Sequence, residues 1–158
     1  MAYTASALSF MLINLSKSVI LTGSQIPIGE IRTDAKENLI TSIEIAASER
    51  INEVCIFFEN QLYRGNRTVK VNTEHFEAFR SPNFPVLAKA GVNIKYISSF
   101  EKAAGSFTIN TKMSNDVAIL KLFPGITITT IKAIIDSAKG IIIESYGTGN
   151  ASSALPVP

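Results

Sequence analysis

Cysteine and histidine occur once each, as Cys55 and His75. A lone cysteine cannot close an internal disulfide, which is consistent with a reducing compartment. His75 has no cysteine or carboxylate at ligand spacing, so no metal site is read there. Long apolar runs are also missing. Nothing approaches the ~20 residues that a helix needs to span a bilayer. Residues 2–15 are apolar but are interrupted by Thr4, Ser6, Ser9 and Asn14, and no basic stretch precedes them, so they do not read as a secretory signal. Charge is scarce. Only 18% of residues are charged, and the formal net charge of +2 is scattered, which argues against nucleic acid and against an anionic membrane as partners. What the chain has instead is apolar side chains, at 46%, which points to a globular protein and excludes a disordered one. At 158 residues it is long enough to bury roughly 70% of its unfolded surface.

The organising stretch is residues 22–39, TGSQIPIGEIRTDAKENL. An apolar run at 19–21 precedes it and reads as a buried strand, and a helix start follows. Strand, polar loop, helix is the order in which α/β proteins build sites, because ligands bind outside the carboxyl ends of parallel strands. Upstream, Ala5, Leu8, Leu12 and Leu15 recur at helical spacing, with Phe10 and Met11 widening the face, and predict a helix over 2–15. Downstream, Asp34 is the expected N-cap, with Glu37 as its capping-box partner. That helix runs to about residue 48, with Leu39, Ile40, Ile43, Ala46 and Ala47 expected on its buried face. EVCIFF at 53–58 reads as the next buried strand, with Cys55 as a small apolar core residue.

The rhythm then changes. Residues 61–72 alternate, and Gly65-Asn66 signals a hairpin or a turn into a short strand. SPNFP at 81–85 reads as extended loop, 92–97 and 107–111 as short strands, and 102–106 as a linker-like loop. From 115 onward the α/β pattern restarts. A strand at 117–122 is followed by a turn at Phe123-Pro124-Gly125. A helix at 127–138 follows, with Thr127 as N-cap and Ile128, Ile131, Ile134 and Ile135 facing inward. A second strand at 141–143 completes the βαβ unit. The expected class is α/β, a parallel sheet flanked by helices followed by the first βαβ unit of a second, smaller domain. The expected domains are 1–112 and 113–151, with residues 152–158, small and Pro-rich, as a disordered tail.

Among candidate site residues, Lys70 alternates with Thr68 and Asn72 along one side of its strand. It is either a solvated hairpin lysine or, in a partly dry site, a general base. Ser24 and Gln25 sit where a parallel strand ends, the expected place for ligand contacts. Thr33, Asp34, Lys36 and Asn38 read as helix capping and solvated surface rather than chemistry. Tyr146-Gly147-Thr148-Gly149-Asn150 could cradle a phosphate, but a glycine pair with no following helix is weak, and the chain has no Walker or G-x-G-x-x-G motif, so a nucleotide-binding reading ranks last.

TGSQIP followed by RTDAKENL, with MAYTASALSF ahead and LYRGNRTVKV behind, resembles the type I (cytoplasmic) bacterial L-asparaginase family. The resemblance covers nearly all of residues 1–150. It implies the latter part of the N-terminal domain and the opening of the C-terminal one. It further implies a cytoplasmic, homo-oligomeric amidohydrolase acting on L-asparagine through a threonine nucleophile, with no metal or organic cofactor. In the family one triad is Thr–Lys–Asp, and Lys70 matches its lysine. Ser24 matches a substrate contact, and Asn150 a position near the substrate site of a neighbouring subunit. Gln25 matches a residue lining an asparagine effector pocket. Its companion threonine and arginine are replaced here by Val69 and Glu144, the second an anion where a carboxylate-binding cation is expected. The T-G-G-T motif that supplies the nucleophile and the H-G-T-D-T motif that supplies the triad's threonine and aspartate are not in the 158 residues. In the family MAYTA follows the second motif directly, so both are expected upstream of Met1. The chain alone is therefore expected to be inactive. The alternative expectation is a non-catalytic truncated or relic product, or the partner piece of a split enzyme.

Overall fold

The computed structural model describes residues 1–97 and 104–151. By internal contacts the chain divides after Thr111 into two compact units. The expected tail at 152–158 lies outside the described residues, as does part of the linker-like stretch at 102–106.

In the first unit, helix α1 (Ala2–Met11) is followed by strands β1 (Leu12–Ile13) and β2 (Val19–Leu21), helix α2 (Ala35–Ala47) and strand β3 (Val54–Phe58). Then come β4 (Gln61–Arg64), a 3₁₀ turn at Gly65–Arg67, β5 (Val69–Lys70), β6 (Phe79–Arg80), β7 (Ala88–Lys89), β8 (Lys95–Tyr96) and β9 (Thr108–Ile109). The main sheet has the order β2-β3-β4-β7-β8. β2 and β3 are parallel, in the register Val19↔Val54 and Leu21↔Ile56, as the crossover through α2 requires. The remaining pairs are antiparallel, so the α/β sheet is mixed. β5 and β6 form a separate ribbon of two strands.

β3 is buried along its whole length, which is why its sequence is a continuous apolar run and not an alternation. Val54, Ile56 and Phe58 pack with Ala5 of α1 and with Tyr63, Ala78 and Phe79. Cys55 and Phe57 point the other way, into a second cluster with Ile45 of α2, Ile51, Leu62 and Leu87. The hairpin from β3 to β4 turns at Glu59-Asn60, both at positive φ (44° and 60°), while Gly65-Asn66 is the other alternative read for it, a turn that leads into the short strand β5. Two positive φ values make the turn whose twist suits a two-residue hairpin. Gly65 also serves close packing. A Cβ there would lie 2.9 Å from the Val54 carbonyl and 3.0 Å from Ser9 Oγ.

Two helices depart from the sequence pattern. α1 stops at Met11, because Leu12 is extended and pairs with Ile109, after which Asn14 turns the chain at a φ of 56°. Phe10, expected on the apolar face, is exposed. α2 is rotated relative to expectation. Asn38, Ser42 and Ile45 face the sheet, while Leu39, Ile40 and Ile43 are 46%, 66% and 60% exposed. The rotation has a polar cause. The buried Asn38 side chain donates to the Gly23 carbonyl (2.9 Å) and accepts from the Glu59 N–H (3.2 Å), and these bonds hold it inward.

The second unit contains β10 (Val117–Lys121), α3 (Ile128–Ile135) and β11 (Gly140–Glu144). β10 and β11 are parallel, in the register Val117↔Gly140 to Lys121↔Glu144, which is the βαβ unit read from the sequence. Thr127 caps α3, its side chain accepting from the Thr130 N–H at 3.2 Å. Ile131 and Ile134 are half-buried, but Ile128 and Ile135, expected inside, are 44% and 47% exposed. One helix covers only one face of two strands, so its outer isoleucines have nothing in the unit to pack on.

Candidate functional site

The loop after β2 is held by side chains of α2. At the strand end, Thr22 Oγ1 donates to the Phe57 carbonyl at 2.9 Å, fixing β2 to β3. The Asp34 carboxylate then accepts from the main-chain N–H groups of Gln25 (3.0 Å to each oxygen) and Ile26 (3.1 Å). It accepts as well from Asn38 Nδ2 at 3.1 Å. Asp34 occupies the N-cap position of α2, but it makes no capping bond. This overturns the capping-box expectation, and the reason is competition: the loop N–H groups already occupy the carboxylate. Thr33 takes over at the helix start, its Oγ1 accepting from the Ala35 N–H (3.0 Å) and donating to the Ile26 carbonyl (2.8 Å).

Ser24 is half-buried and sits between two pinned neighbours, Gly23 through its carbonyl and Gln25 through its N–H. Gln25 also reaches outward. Its Nε2 donates to the carbonyls of Thr73 (3.1 Å) and His75 (2.7 Å), in the loop that joins β5 to β6. The structure therefore brings the Ser24–Gln25 loop together with the segment that follows Lys70. Between the two segments lies a cleft of about 430 Å³ lined by Gln25, Ile26, Arg32, Thr73, Glu74 and Phe76. Ser24 and Lys70 are not among its walls.

Lys70 is exposed, and its strand neighbour across the ribbon is Phe79. Thr68 and Asn72 do not share its surroundings. Thr68 is buried and donates to the Arg64 carbonyl, and Asn72 is half-buried. Among the described residues the ion pairs join Arg64 to Glu53, Lys121 to Glu144 and Lys139 to Asp116, and Lys70 belongs to none of them. Glu144 is thus paired across β10 and β11, at 3.2 Å. Asn150 lies in the second unit, is exposed, and closes a tight loop in which its N–H donates to the Tyr146 carbonyl at 2.9 Å. The glycines make that loop possible, with Gly147 at a φ of 47° and Gly149 at 115°.

Burial sets the chemistry of two groups behind the loop. It raises the Cys55 thiol far above its ordinary value, with the Glu53 charge adding to the effect and Arg64 opposing it. The thiolate is the reactive form, so Cys55 is expected to resist iodoacetamide at mildly alkaline pH in the native chain and to alkylate fully after guanidinium unfolding. Alkylation of the folded chain at the unfolded rate would refute this. Tyr63, whose hydroxyl donates to the Phe79 carbonyl at 3.2 Å, is pushed up to about 12 by burial and by the charges of Glu59 and Glu77. A folded value above the unfolded one favours folding only while the phenol is neutral. That stability is complete below about pH 10 and is lost as pH rises through about 12. Urea midpoints measured across this range should fall more steeply for the natural chain than for Tyr63→Phe. Equal slopes would refute the assignment.

Sequence reasoning missed Asp34 and Asn38. A signal was available, since residues four apart on a helix share a face, and this pair begins α2 directly after a strand and a polar loop. Among the described residues, no group of three or more His, Cys, Asp or Glu side chains is placed to hold a metal ion. Likewise, no helix among them is long and apolar enough to cross a membrane.

Comparison with known proteins gives one consistent result. The family model described as Asparaginase, N-terminal matches residues 1–102. The chain is 44% identical over 154 residues to L-asparaginase 1 of Escherichia coli K12, covering 96% of this chain and 46% of that protein. It is also 44% identical to the 60 kDa lysophospholipase of Mus musculus, covering 95% of this chain and 27% of that one. The crystal structure of L-asparaginase I from Vibrio cholerae superposes with a TM-score of 0.87 at 43% identity, over 97% of this chain and 48% of that one. The chain thus spans about half the length of the bacterial relatives it matches.

Proposed function

The chain belongs to the asparaginase family, and from that premise we propose that its 158 residues are the lysine-bearing part of an L-asparagine amidohydrolase. One observation carries the reading: 44% identity to a bacterial L-asparaginase runs across 96% of this chain, through both the Ser24 loop and the Lys70 strand. In the assembled enzyme a threonine attacks the side-chain amide carbon of asparagine. Lys70, paired with an aspartate, relays the proton, and main-chain N–H groups hold the oxyanion. Water then releases aspartate from the acyl-enzyme, and ammonia has already left. Ser24 and Asn150 contact substrate, Asn150 in a neighbouring subunit of a homo-oligomer. By its match to the family Gln25 belongs to an effector pocket, whose usual threonine and arginine are replaced by Val69 and Glu144. The enzyme works in the cytoplasm, without nucleic acid or membrane as partner.

The exposure of Lys70, and its lack of an ion-pair partner among the described residues, agree with a triad whose other members are not on this chain. The test is ammonia release from L-asparagine. The chain alone is expected to be silent. It should become active when mixed with the complementary N-terminal segment of E. coli L-asparaginase 1. Turnover by the purified chain alone would overturn the half-enzyme reading. Silence of the mixture, from a chain shown to be folded, would favour a non-catalytic product.

A further inference from the structure

We propose that Gln25 is a positioning residue, a donor clamp that sets the Lys70 strand against the loop carrying Ser24. The inference rests on the reading of Lys70 and Ser24 given above, and it assigns Gln25 a task different from lining an effector pocket. A carboxamide nitrogen has two N–H bonds. Those of Gln25 go to the Thr73 carbonyl at 3.1 Å and the His75 carbonyl at 2.7 Å, so no donor is left for a ligand.

The clamp is anchored at its other end. The Gln25 main-chain N–H is shared by both oxygens of Asp34, and Asp34 is held by Asn38, which in turn receives the Glu59 N–H. A continuous series of hydrogen bonds thus runs from the β3–β4 turn through α2 and the Ser24 loop to the loop beyond Lys70. Asn38 is 3% exposed, so the inner part of the series is shielded from water.

The Lys70 ribbon needs such a tether. Among the described residues β5 and β6 pair only with each other, and no ladder joins them to the five-stranded sheet. From the sheet side the ribbon is held by packing of Ala78 and Phe79, by the hydrogen bond of Tyr63 to the Phe79 carbonyl and, just ahead of β5, by that of Thr68 to the Arg64 carbonyl. Those contacts fix β6 and the start of β5. Gln25 acts on the loop that leaves Lys70, three residues on at Thr73 and five at His75. Without it, Lys70 stays on a folded ribbon whose loop end is free to shift.

Three replacements test the clamp by the sign of their effects. Gln25→Met keeps the shape and loses the donors. Gln25→Glu keeps the shape and sets an anion against two carbonyls. Gln25→Lys restores donors. In the 158-residue chain by itself, amide hydrogen exchange at Val71 and Asn72, whose N–H groups donate to the Ala78 carbonyl, should rise roughly tenfold in the Met variant, the scale of two lost hydrogen bonds. It should rise further in the Glu variant and return toward the natural rate in the Lys variant, with the thermal midpoint little changed. In the activity mixture, kcat should fall in the same order, by up to about 100-fold, the cost of misplacing a catalytic group by about 1 Å. KM should move far less. Unchanged exchange at Val71 and Asn72 in the Glu variant overturns the clamp, as does an order in which Gln25→Glu outperforms Gln25→Lys. If the natural mixture releases no ammonia, the functional reading falls, while the exchange data still decide whether Gln25 holds the ribbon.

Discussion

Lys70→Ala should lower kcat of the reconstituted enzyme by about 10²–10⁴-fold, the range that a positioned proton-transfer group supplies. Folding should be untouched. Lys70 is exposed, forms none of the ion pairs among the described residues, and leaves its ribbon partner Phe79 in place when truncated. The variant chain should therefore have the thermal midpoint of the natural one and associate equally well with the N-terminal segment. A loss confined to kcat identifies a group that acts in the transition state. A loss of association with normal turnover per complex would instead make Lys70 an assembly contact and remove it from the mechanism. Less than about a tenfold loss in kcat would leave it the solvated hairpin lysine that spacing alone allows.

Phe57→Ala should be the most damaging single truncation in the first unit, at about 3–5 kcal/mol. Phe57 is 0% exposed and lies in the cluster formed with Ile45, Ile51, Leu62 and Leu87, between α2 and the middle of the sheet. Removing the ring loses its transfer free energy and leaves a cavity that β3, hydrogen-bonded on both sides, cannot close. The informative comparison is Ile43→Ala, on the outward face of α2. The apolar pattern places Ile43 in the core, yet it is 60% exposed, so its truncation should cost no more than about 0.5 kcal/mol. Urea unfolding followed by circular dichroism would measure both. Comparable losses for the two variants would mean that α2 presents its Leu39–Ile43 side to a packed interior, and the Asn38-directed orientation would be wrong.

Asn38 is where pattern and packing part. A hydropathy reading of α2 sees Leu39, Ile40 and Ile43 and turns that stripe inward. It weighs apolar area, about 25 cal/mol per Å² buried. A buried amide with a donor and an acceptor satisfied by main-chain groups weighs on the other side. Leaving such groups buried and unpaired costs about 1–3 kcal/mol for each. The Gly23 and Glu59 partners are 15 and 21 residues away in sequence, so no local pattern contains them. The same holds for Asp34. Its local neighbours make it a helix cap, while the folded loop makes it the acceptor for Gln25 and Ile26.

Local chemistry was legible wherever it was sufficient. The sequence alone determined the α/β class, the strand at Val19–Leu21, the apolar strand Val54–Phe58 with Cys55 buried in it, the Thr127 cap and the βαβ unit from β10 to β11. Each of these depends on side chains within a few positions of one another, and their periodicity, capping and turn preferences act over the same range. The resemblance to the family is what proposes Lys70, Ser24, Gln25 and Asn150 as site residues. Tertiary structure alone decided the rotation of α2, the early end of α1 where Leu12 finds Ile109, and the engagement of Gln25 with Thr73 and His75, 48 and 50 residues away. These outcomes turn on hydrogen bonds between groups that only folding brings within bonding distance. A main-chain N–H or carbonyl carries no trace in the sequence of which distant side chain will satisfy it.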